Sequence, residues 1–239
     1  MQGEKVMHAS IEKALISNKF VFHLQPIFDS RGVVFMYESL VRLELDDKSI
    51  VPPVHFFPKI KHYDTFGIIL LQSLKNACRH LKQNKNDRVS INMSYQDVEN
   101  IFVANAFLEK LKSHESDVLS RLVIEFIETY DIENIDTVVS FCKEIKKHDI
   151  KISVDDFGIK NSNFYVISII PFDYLKLDGH FVKNFKNAKS YAIIELIVQL
   201  CKKIEIEMIA EHIETEEDYS TLKHMGVDYF QGYYLGKPK

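Results

Sequence analysis

Cysteine and histidine patterns that bind metals are missing from this chain of 239 residues. The three cysteines, Cys78, Cys142 and Cys201, lie far apart, include no CxxC pair and are odd in number. This argues against a disulfide framework and a cysteine zinc site, and it is typical of buried thiols in a reducing compartment. The ten histidines include no HExxH spacing, so a zinc site built on histidine has little support.

Positive charge is also in short supply. The chain has 30 Lys and Arg against 34 Asp and Glu, which gives a net charge of −4. Without an overall basic field, binding to a DNA or RNA polymer is not expected. A phosphate ligand would need a few local Lys or Arg side chains, or metal ions, to meet its charge.

Long apolar segments and linker-like stretches are absent as well. The chain has only 8 Gly and 6 Pro, and its first apolar run, Phe20–Leu24, is far too short to span a bilayer. No secretory signal follows Met1. We expect a linker helix over residues 1–18 and one large domain over 19–239. We expect this domain to be cytoplasmic and to make no membrane contact, although it can belong to a larger, membrane-anchored protein.

Short β-rich runs alternate with amphipathic helical segments along the chain, which predicts parallel strands joined by helical crossovers. Helices are predicted over segments such as Ile68–Leu81, Val103–Lys112, Asp136–Lys147, Tyr191–Lys203 and Glu216–His224. The predicted strands are Val21–Phe28, Val33–Leu40, Val89–Met93, Leu122–Ile127, Ile152–Val154, Tyr174–Leu177, Met208–Ala210 and Val227–Phe230.

The first two of these strands are joined by only four turn residues, 29–32, so they should form an antiparallel hairpin. Eight strands in a chain of this length indicate an α/β fold, a TIM-like (β/α)8 barrel with an irregular, antiparallel first strand. A doubly wound open sheet is the rival, but neither GxGxxG nor GxxxxGK[ST] is present.

Polar side chains stand at or near the C-terminal ends of seven consecutive predicted strands. A single one could simply cap the next helix. Seven at the end of a barrel where active sites form indicate a site, and carboxylates gathered there would repel one another unless cations lay among them. Oxygen ligands without Cys or His favour Mg²⁺ or Mn²⁺. These residues are Glu38, Asn92, Glu125, Asp155 with Asp156, Lys176, Glu211 and Gln231.

The roles of two basic residues near these strand ends can each be interpreted in two ways. Lys176 could form a structural salt bridge to the acids, or it could orient an attacking water and stabilise the transition state. Arg42 could be a solvated strand-end charge, or its guanidinium could bind a phosphate with two hydrogen bonds.

The ordered set of these motifs resembles the EAL domain family of bacterial cyclic di-GMP phosphodiesterases. The signature triplet reads Glu38-Ser39-Leu40, with Ser where Ala is usual, and Arg42 follows it. The other elements follow in order at compatible spacing. They are Asn92-Met93-Ser94, Glu125-Phe126-Ile127-Glu128, Asp155-Asp156-Phe157-Gly158, Lys176-Leu177-Asp178, Glu211-His212-Ile213-Glu214-Thr215 and Gln231-Gly232.

The resemblance implies a phosphodiesterase that hydrolyses cyclic di-GMP to linear pGpG with two Mg²⁺ or Mn²⁺ ions. It implies Glu38, Asn92, Glu125 and Asp155 as ligands of one ion. The second ion would take Asp155 and Asp156, with water and either Glu211 or Gln231. The attacking water would lie near Lys176, with Glu211 as general base. Nucleotide contacts would come from Gln25, Arg42 and Gln231, and Asp178 and Glu214 are further candidates. The resemblance also implies a homodimer, and an upstream sensory or GGDEF-type domain in a longer chain.

The segment after Asp156 departs from the family pattern. It reads Ile159-Lys160-Asn161-Ser162-Asn163 where the family has a Thr-Gly-Tyr-Ser-Ser-like loop, which Glu128 would anchor. Lys160 and His212 both replace glycines, whose freedom to adopt positive φ they lack. A catalytically weak or inactive domain, acting as a cyclic di-GMP receptor or a protein-interaction module, is therefore the alternative.

Overall fold

The computed structural model describes the backbone of residues 2–62, 64–127, 132–158 and 164–239, and the side chains of these residues from Ala9 onward. Glu128 and the atypical segment 159–163 lie outside the described residues. Nine strands are present in the described parts of the chain. They are β1 (Phe20–Asp29), β2 (Val34–Glu44), β3 (Ile50–Val51), β4 (Val89–Ser94), β5 (Leu122–Ile127), β6 (Lys151–Phe157), β7 (Tyr174–Leu177), β8 (Glu207–Ala210) and β9 (Tyr229–Phe230).

Eight of these strands close into a barrel. Neighbouring strands follow the order β1-β9-β8-β7-β6-β5-β4-β2, and β1 also pairs with β2, which closes the ring. The strand β1 is antiparallel to both of its neighbours, while β2 and β4 to β9 run parallel to one another. The predicted TIM-like barrel with an antiparallel first strand is therefore confirmed.

The strand β3 was not predicted from the sequence. It has only two residues, which pair with the end of β2 at Leu43 and Glu44. A segment this short shows no alternation of buried and exposed residues, so no sequence pattern could reveal it.

The helices occupy most of the connections. They are α1 (Gln2–Ile16), α2 (Pro53–Phe56), α3 (Asp64–Gln83), α4 (Tyr95–Glu99), α5 (Ile101–Leu111), α6 (Ser116–Leu119), α7 (Ile135–Lys146), α8 (Phe164–Ile169), α9 (Gly179–Lys183), α10 (Ala188–Lys203) and α11 (Glu216–Met225), with a 3₁₀ turn at Phe57–Lys59. The five predicted helices match α3, α5, α7, α10 and α11 to within four residues at each end. The side chains of Asn134, Asn187 and Thr215 cap α7, α10 and α11, which sets where these helices begin.

The core lies in two layers. Strands such as β5 are apolar on both faces because one face packs on helices and the other fills the barrel. At the N-terminal end of the strands, the interior is filled by a cluster of Ile27, Met36, Val123, Tyr174 and Ile209. Burial of each such side chain stabilises the fold by about 1.5–3 kcal/mol. The opposite end is left to polar residues.

The helix α1 packs against the barrel through Ile11 and Ala14. Both side chains are buried in a cluster with Phe20, Leu43 and Phe56. That residues 1–18 act as a linker to another domain stays a prediction.

Candidate active site

A cavity of about 340 Å³ opens at the C-terminal ends of the barrel strands. Because parallel strands end at the same rim, residues far apart in the sequence meet there. The sequence-predicted residues that line this cavity are Gln25, Glu38, Asp155, Asp156, Lys176, Glu211, Glu214 and Gln231. Glu125 and Asn92 lie directly beside it, in contact with Lys176 and Glu38.

Lys176 is the centre of the site. Its side chain is 1% exposed, and its Nζ lies 3.4 Å from Glu38 Oε2, 3.2 Å from Asp155 Oδ1 and 2.7 Å from Glu211 Oε1. It also donates a hydrogen bond to Glu125 Oε1. Burial alone would lower the pKa of Lys176, but the four carboxylates raise it well above its ordinary value. The ammonium therefore stays charged and partly neutralises the acids.

Two amides hold Glu38 in place. Asn92 Nδ2 donates to Glu38 Oε1 at 3.1 Å, and Gln231 Nε2 donates to Glu38 Oε2 at 2.6 Å. Burial tends to raise the pKa of Glu38, but Lys176 and the two amides outweigh it and lower that pKa. Glu38 is therefore a fixed, ionised carboxylate.

The pKa values of Glu125 and Glu211 shift in the opposite direction from that of Glu38. Burial, followed by repulsion from Glu38, raises the pKa of Glu125 well above its ordinary value. Burial also raises the pKa of Glu211 to about 8, despite the attraction of Lys176. A carboxyl with a pKa near neutrality can exchange protons at working pH, which suits a general acid or base.

The adjacent acids Asp155 and Asp156 line one cavity although neighbours in a regular strand point to opposite faces. The pairing of β6 with β7 shifts register between Val154 and Phe157, which marks an irregularity at this pair. Asp156 has φ +52°, in the left-handed region. This local break in the strand lets both carboxylates lie at the rim.

The site offers oxygen atoms that lack hydrogen-bond partners. Among the described residues of the site, buried oxygens of this kind are Asn92 Oδ1, Glu125 Oε2 and Gln231 Oε1. One carboxylate oxygen from each of Asp155, Asp156 and Glu211 lies within 4.8 Å of the others. Such atoms are acceptors only, so a cation satisfies them where a second acceptor would not.

The charge of the site fits divalent cations. Five carboxylates (Glu38, Glu125, Asp155, Asp156 and Glu211) surround one ammonium, which leaves four excess negative charges when all are ionised. Two divalent ions would cancel them, and oxygen donors of this type suit Mg²⁺ or Mn²⁺. The residues present therefore fit a metal centre.

The predicted nucleotide-contacting residues occupy different positions. Gln25 faces Glu38 across the β1–β2 ladder, and its Nε2 donates to the carbonyl of Gly236 at 3.1 Å. Arg42 does not belong to the described cavity lining, and its Nη1 donates to the Val41 carbonyl at 2.9 Å. Burial lowers the pKa of Arg42, against the attraction of Tyr233 and Glu38. Tyr233 is exposed at the rim.

The two remaining candidates have structural contacts of their own. Asp178 caps α9, where its Oδ1 accepts a hydrogen bond from the His180 N–H at 2.6 Å. Glu214 lines the cavity, and its Oε1 pairs with Lys183 Nζ at 3.1 Å. The predicted role of Glu128 concerns a residue outside the described ones.

The backbone beside Glu211 has the unusual conformation that the family pattern indicated at position 212. His212 has φ +54°, a conformation that glycine adopts more cheaply, and its ring packs on Gly179. Gly232 leaves no room for a side chain, since a Cβ would lie 2.1 Å from the carbonyl oxygen of Ile213. In the sequence, this close packing is indicated only by two glycine positions. The family pattern has a glycine at position 212, and Gly232 follows Gln231.

Comparisons with known proteins agree with this geometry. The profile described as EAL domain matches residues 8–238. The chain is 28% identical to the cyclic di-GMP phosphodiesterase PdeB of Shewanella oneidensis, over 96% of the chain and 28% of that protein. It is 25% identical to the cyclic di-GMP phosphodiesterase PdeF of Escherichia coli, over 100% of the chain and 32% of that protein. The chain thus spans less than a third of either relative.

A solved structure shares this barrel fold over nearly the whole length of both chains. The crystal structure of an EAL domain protein from Listeria monocytogenes superposes with a TM-score of 0.88 at 27% identity, and the match covers 97% of this chain and 93% of that one. Among the described residues, no helix combines the length and apolar character needed to cross a bilayer.

Proposed function

This chain belongs to the EAL domain family, and we propose that it hydrolyses cyclic di-GMP to linear pGpG at the cavity described above. The observation that carries the proposal is the set of carboxylates around the buried Lys176, together with the oxygens of Asp155, Asp156 and Glu211 that lie within 4.8 Å of one another. The two relatives compared above are named as cyclic di-GMP phosphodiesterases. A receptor that only holds the nucleotide would not need so many acids beside a phosphodiester.

Glu38, Asn92, Glu125 and Asp155 would hold one divalent ion, and Asp155 and Asp156 the other, with Glu211 or Gln231 nearby. Bound ions of this kind lower the pKa of water and stabilise charge on the attacking and leaving oxygens of a phosphodiester. The choice between Mg²⁺ and Mn²⁺ belongs to this proposal, because the oxygen donor set suits both.

The protein groups supply the proton transfer and the orientation. Glu211 borders the cavity, and nearby divalent cations would favour its ionised form, so that its carboxylate could accept a proton from the attacking water. Lys176 keeps its charge, and once the ions share its carboxylate partners, its N–H groups could donate hydrogen bonds to a phosphoryl oxygen or to that water. Gln231 and Asn92 fix Glu38 by hydrogen bonds, so the site is held in place before the substrate arrives.

The proposal is tested by incubating the purified chain with cyclic di-GMP and either Mg²⁺ or Mn²⁺, and following pGpG by chromatography. We expect turnover with at least one ion and none with EDTA. Glu38→Ala should lose most of the turnover and weaken Mn²⁺ binding measured by calorimetry. Glu44→Ala is the matched control, because Glu44 lies on the same strand but pairs with Lys48 at the surface.

The outcomes distinguish the two functions. Saturable cyclic di-GMP binding without turnover in either metal would favour the receptor alternative. Full turnover in Glu38→Ala would show that the site is assigned to the wrong residues.

We also propose that two copies associate through the face formed by α8 and α10. Large apolar side chains are exposed there, including Phe164, Tyr165 and Leu196. Exposed apolar clusters of this kind mark protein interfaces. Light scattering should report a dimer for the chain and a monomer for Leu196→Glu, whereas Lys186→Glu, at an exposed site outside this face, should leave the dimer intact.

We also propose which domains accompany this one in the full protein and where the protein is located. The chain's small share of its relatives' length supports an additional sensory or GGDEF-type domain in the full protein. The three buried, unpaired cysteines and a nucleotide second messenger as substrate support a cytoplasmic location.

A further inference from the structure

A second cavity, of about 550 Å³, lies between β2 and the helix α3. We call it the β2–α3 cavity. Its wall is mainly apolar, and the side chains that form most of it are Phe22, Val41, Phe57, Phe66, Ile69 and Leu70. Apolar cavities of this size accept small organic molecules in other proteins.

The β2–α3 cavity is separate from the acidic cavity. The described linings of the two share no residue. The strand β2 divides them, because Ser39 and Val41 line one and Glu38 and Leu40 line the other, as alternation along a strand requires. Asn92 lines the β2–α3 cavity and donates to Glu38 at 3.1 Å, so one hydrogen bond joins the two places.

Three polar side chains in this wall have an oxygen without a hydrogen-bond partner, namely Asn92, whose Oδ1 was described above, Ser39 and Asp97. Ser39 is 3% exposed and its Oγ has no hydrogen-bond partner. Asp97 is 6% exposed, and its Oδ1 also has none, although its Oδ2 accepts the N–H and O–H of Ser94. Leaving buried acceptors unpaired costs stability, so a ligand that donates a hydrogen bond would be favoured there.

The shape of the wall indicates what the rest of the ligand is. Phe57 and Phe66 meet edge to face with their centroids 5.5 Å apart, and Phe22 and Val41 line the cavity from β1 and β2. Aromatic walls favour flat aromatic rings. Asp97 is the one ionisable residue among the described lining residues, so a neutral ligand is accommodated without a second charge.

We propose that the β2–α3 cavity is a second ligand site, for a neutral, flat aromatic molecule that carries one N–H or O–H donor. Ser39 and Asp97 receive the donor, and the apolar side chains surround the ring. The occupant lies beside Asn92, one hydrogen bond away from Glu38. This site is independent of the proposed hydrolysis, and its test does not use turnover.

The probe is indole, and the matched probe without a donor is 1-methylindole. The chain contains no tryptophan, so indole can be excited at the long-wavelength edge of its absorption, where the tyrosines of this protein contribute little. We expect saturable indole binding and weaker binding of 1-methylindole. Ser73→Leu, which extends a side chain from α3 into the cavity, should weaken indole binding about tenfold or more. Ser140→Leu on the exposed side of α7 is the matched control and should bind as the unaltered chain does.

Ile69→Phe is a second variant with a larger side chain in the cavity wall. It replaces Ser73→Leu in the binding test if circular dichroism shows that Ser73→Leu does not fold. Ser39→Ala should bring the affinities for indole and 1-methylindole closer together. The proposal is overturned if indole does not saturate, if a folded filling variant binds it unchanged, or if 1-methylindole binds equally well. Displacement of indole by cyclic di-GMP in direct competition would place it in the acidic cavity and overturn the proposal as well.

Discussion

Replacing Lys176 by Met tests how the acidic site is neutralised. Methionine keeps the approximate length of the side chain but removes the ammonium that contacts four carboxylates at 1% exposure. Removing one partner of a buried ion pair costs about 3–5 kcal/mol, because the opposite charges stay buried without compensation. In a chain of this size that loss lowers the melting temperature by about 6–20 °C.

The matched control is Lys186→Met. Lys186 Nζ pairs with Glu217 Oε2 at 2.7 Å, the same distance that separates Lys176 Nζ from Glu211 Oε1. Unlike Lys176, both Lys186 and Glu217 are largely exposed. Exposed pairs contribute about 0–1 kcal/mol, so this variant should melt close to the unaltered chain. Equal melting temperatures in metal-free buffer for both variants would contradict the central role of Lys176.

The effect of Mn²⁺ on the melting temperature provides a second test of the same reasoning. Without the ammonium, the five carboxylates hold up to five negative charges that divalent cations can neutralise. Adding Mn²⁺ should therefore raise the melting temperature of Lys176→Met more than that of the unaltered chain, since a ligand stabilises the folded state according to its affinity. Thermal unfolding in EDTA and in Mn²⁺ measures both values. A smaller Mn²⁺ effect in the variant would refute the reasoning.

Three further predictions concern stability and metal binding. The pKa of Glu211 rises from 4.5 to about 8 on folding, so the unfolded chain loses this proton first. The metal-free protein should therefore lose stability as pH rises from about 4.5 to 8, and denaturant titrations showing the reverse would contradict this. Ser39→Ala removes an unpartnered buried hydroxyl and should stabilise the fold by about 1 kcal/mol in urea unfolding, whereas a loss would mean that the hydroxyl has a partner. Gly232→Ala would force its Cβ against Ile213 and displace Gln231, so calorimetry should show weaker Mn²⁺ binding than in Gly32→Ala, whose Cβ meets no atom within 4 Å and whose positive φ strains only the turn between β1 and β2.

The barrel could be predicted in most of its parts from the sequence. Alternation and apolar runs mark eight strands, and the four residues between Phe28 and Val33 are too few for a crossover, so the first hairpin follows. The two-residue β3 had no pattern to reveal it. Polar residues at strand ends also show in the sequence, because a barrel brings all these ends to one rim.

How these residues divide their roles depends on tertiary contacts. The sequence determined that Glu38, Glu125, Asp155 and Glu211 stand at strand ends, but only the closed barrel places Lys176 among them. The hydrogen bond from Gln231 to Glu38 joins residues 193 positions apart, and no local pattern encodes it. The irregularity at Asp155 and Asp156 arises from the pairing of β6 with β7.

The β2–α3 cavity is likewise a product of packing alone. Its lining comes from segments between Phe22 and Ile127, and the apolar residues among them have the sequence pattern of ordinary core positions. Local sequence determines which element a residue joins and which side of it is apolar, because those properties repeat every two or 3.6 residues. Distances between elements, and the pKa values they cause, are decided only when the elements close around one another.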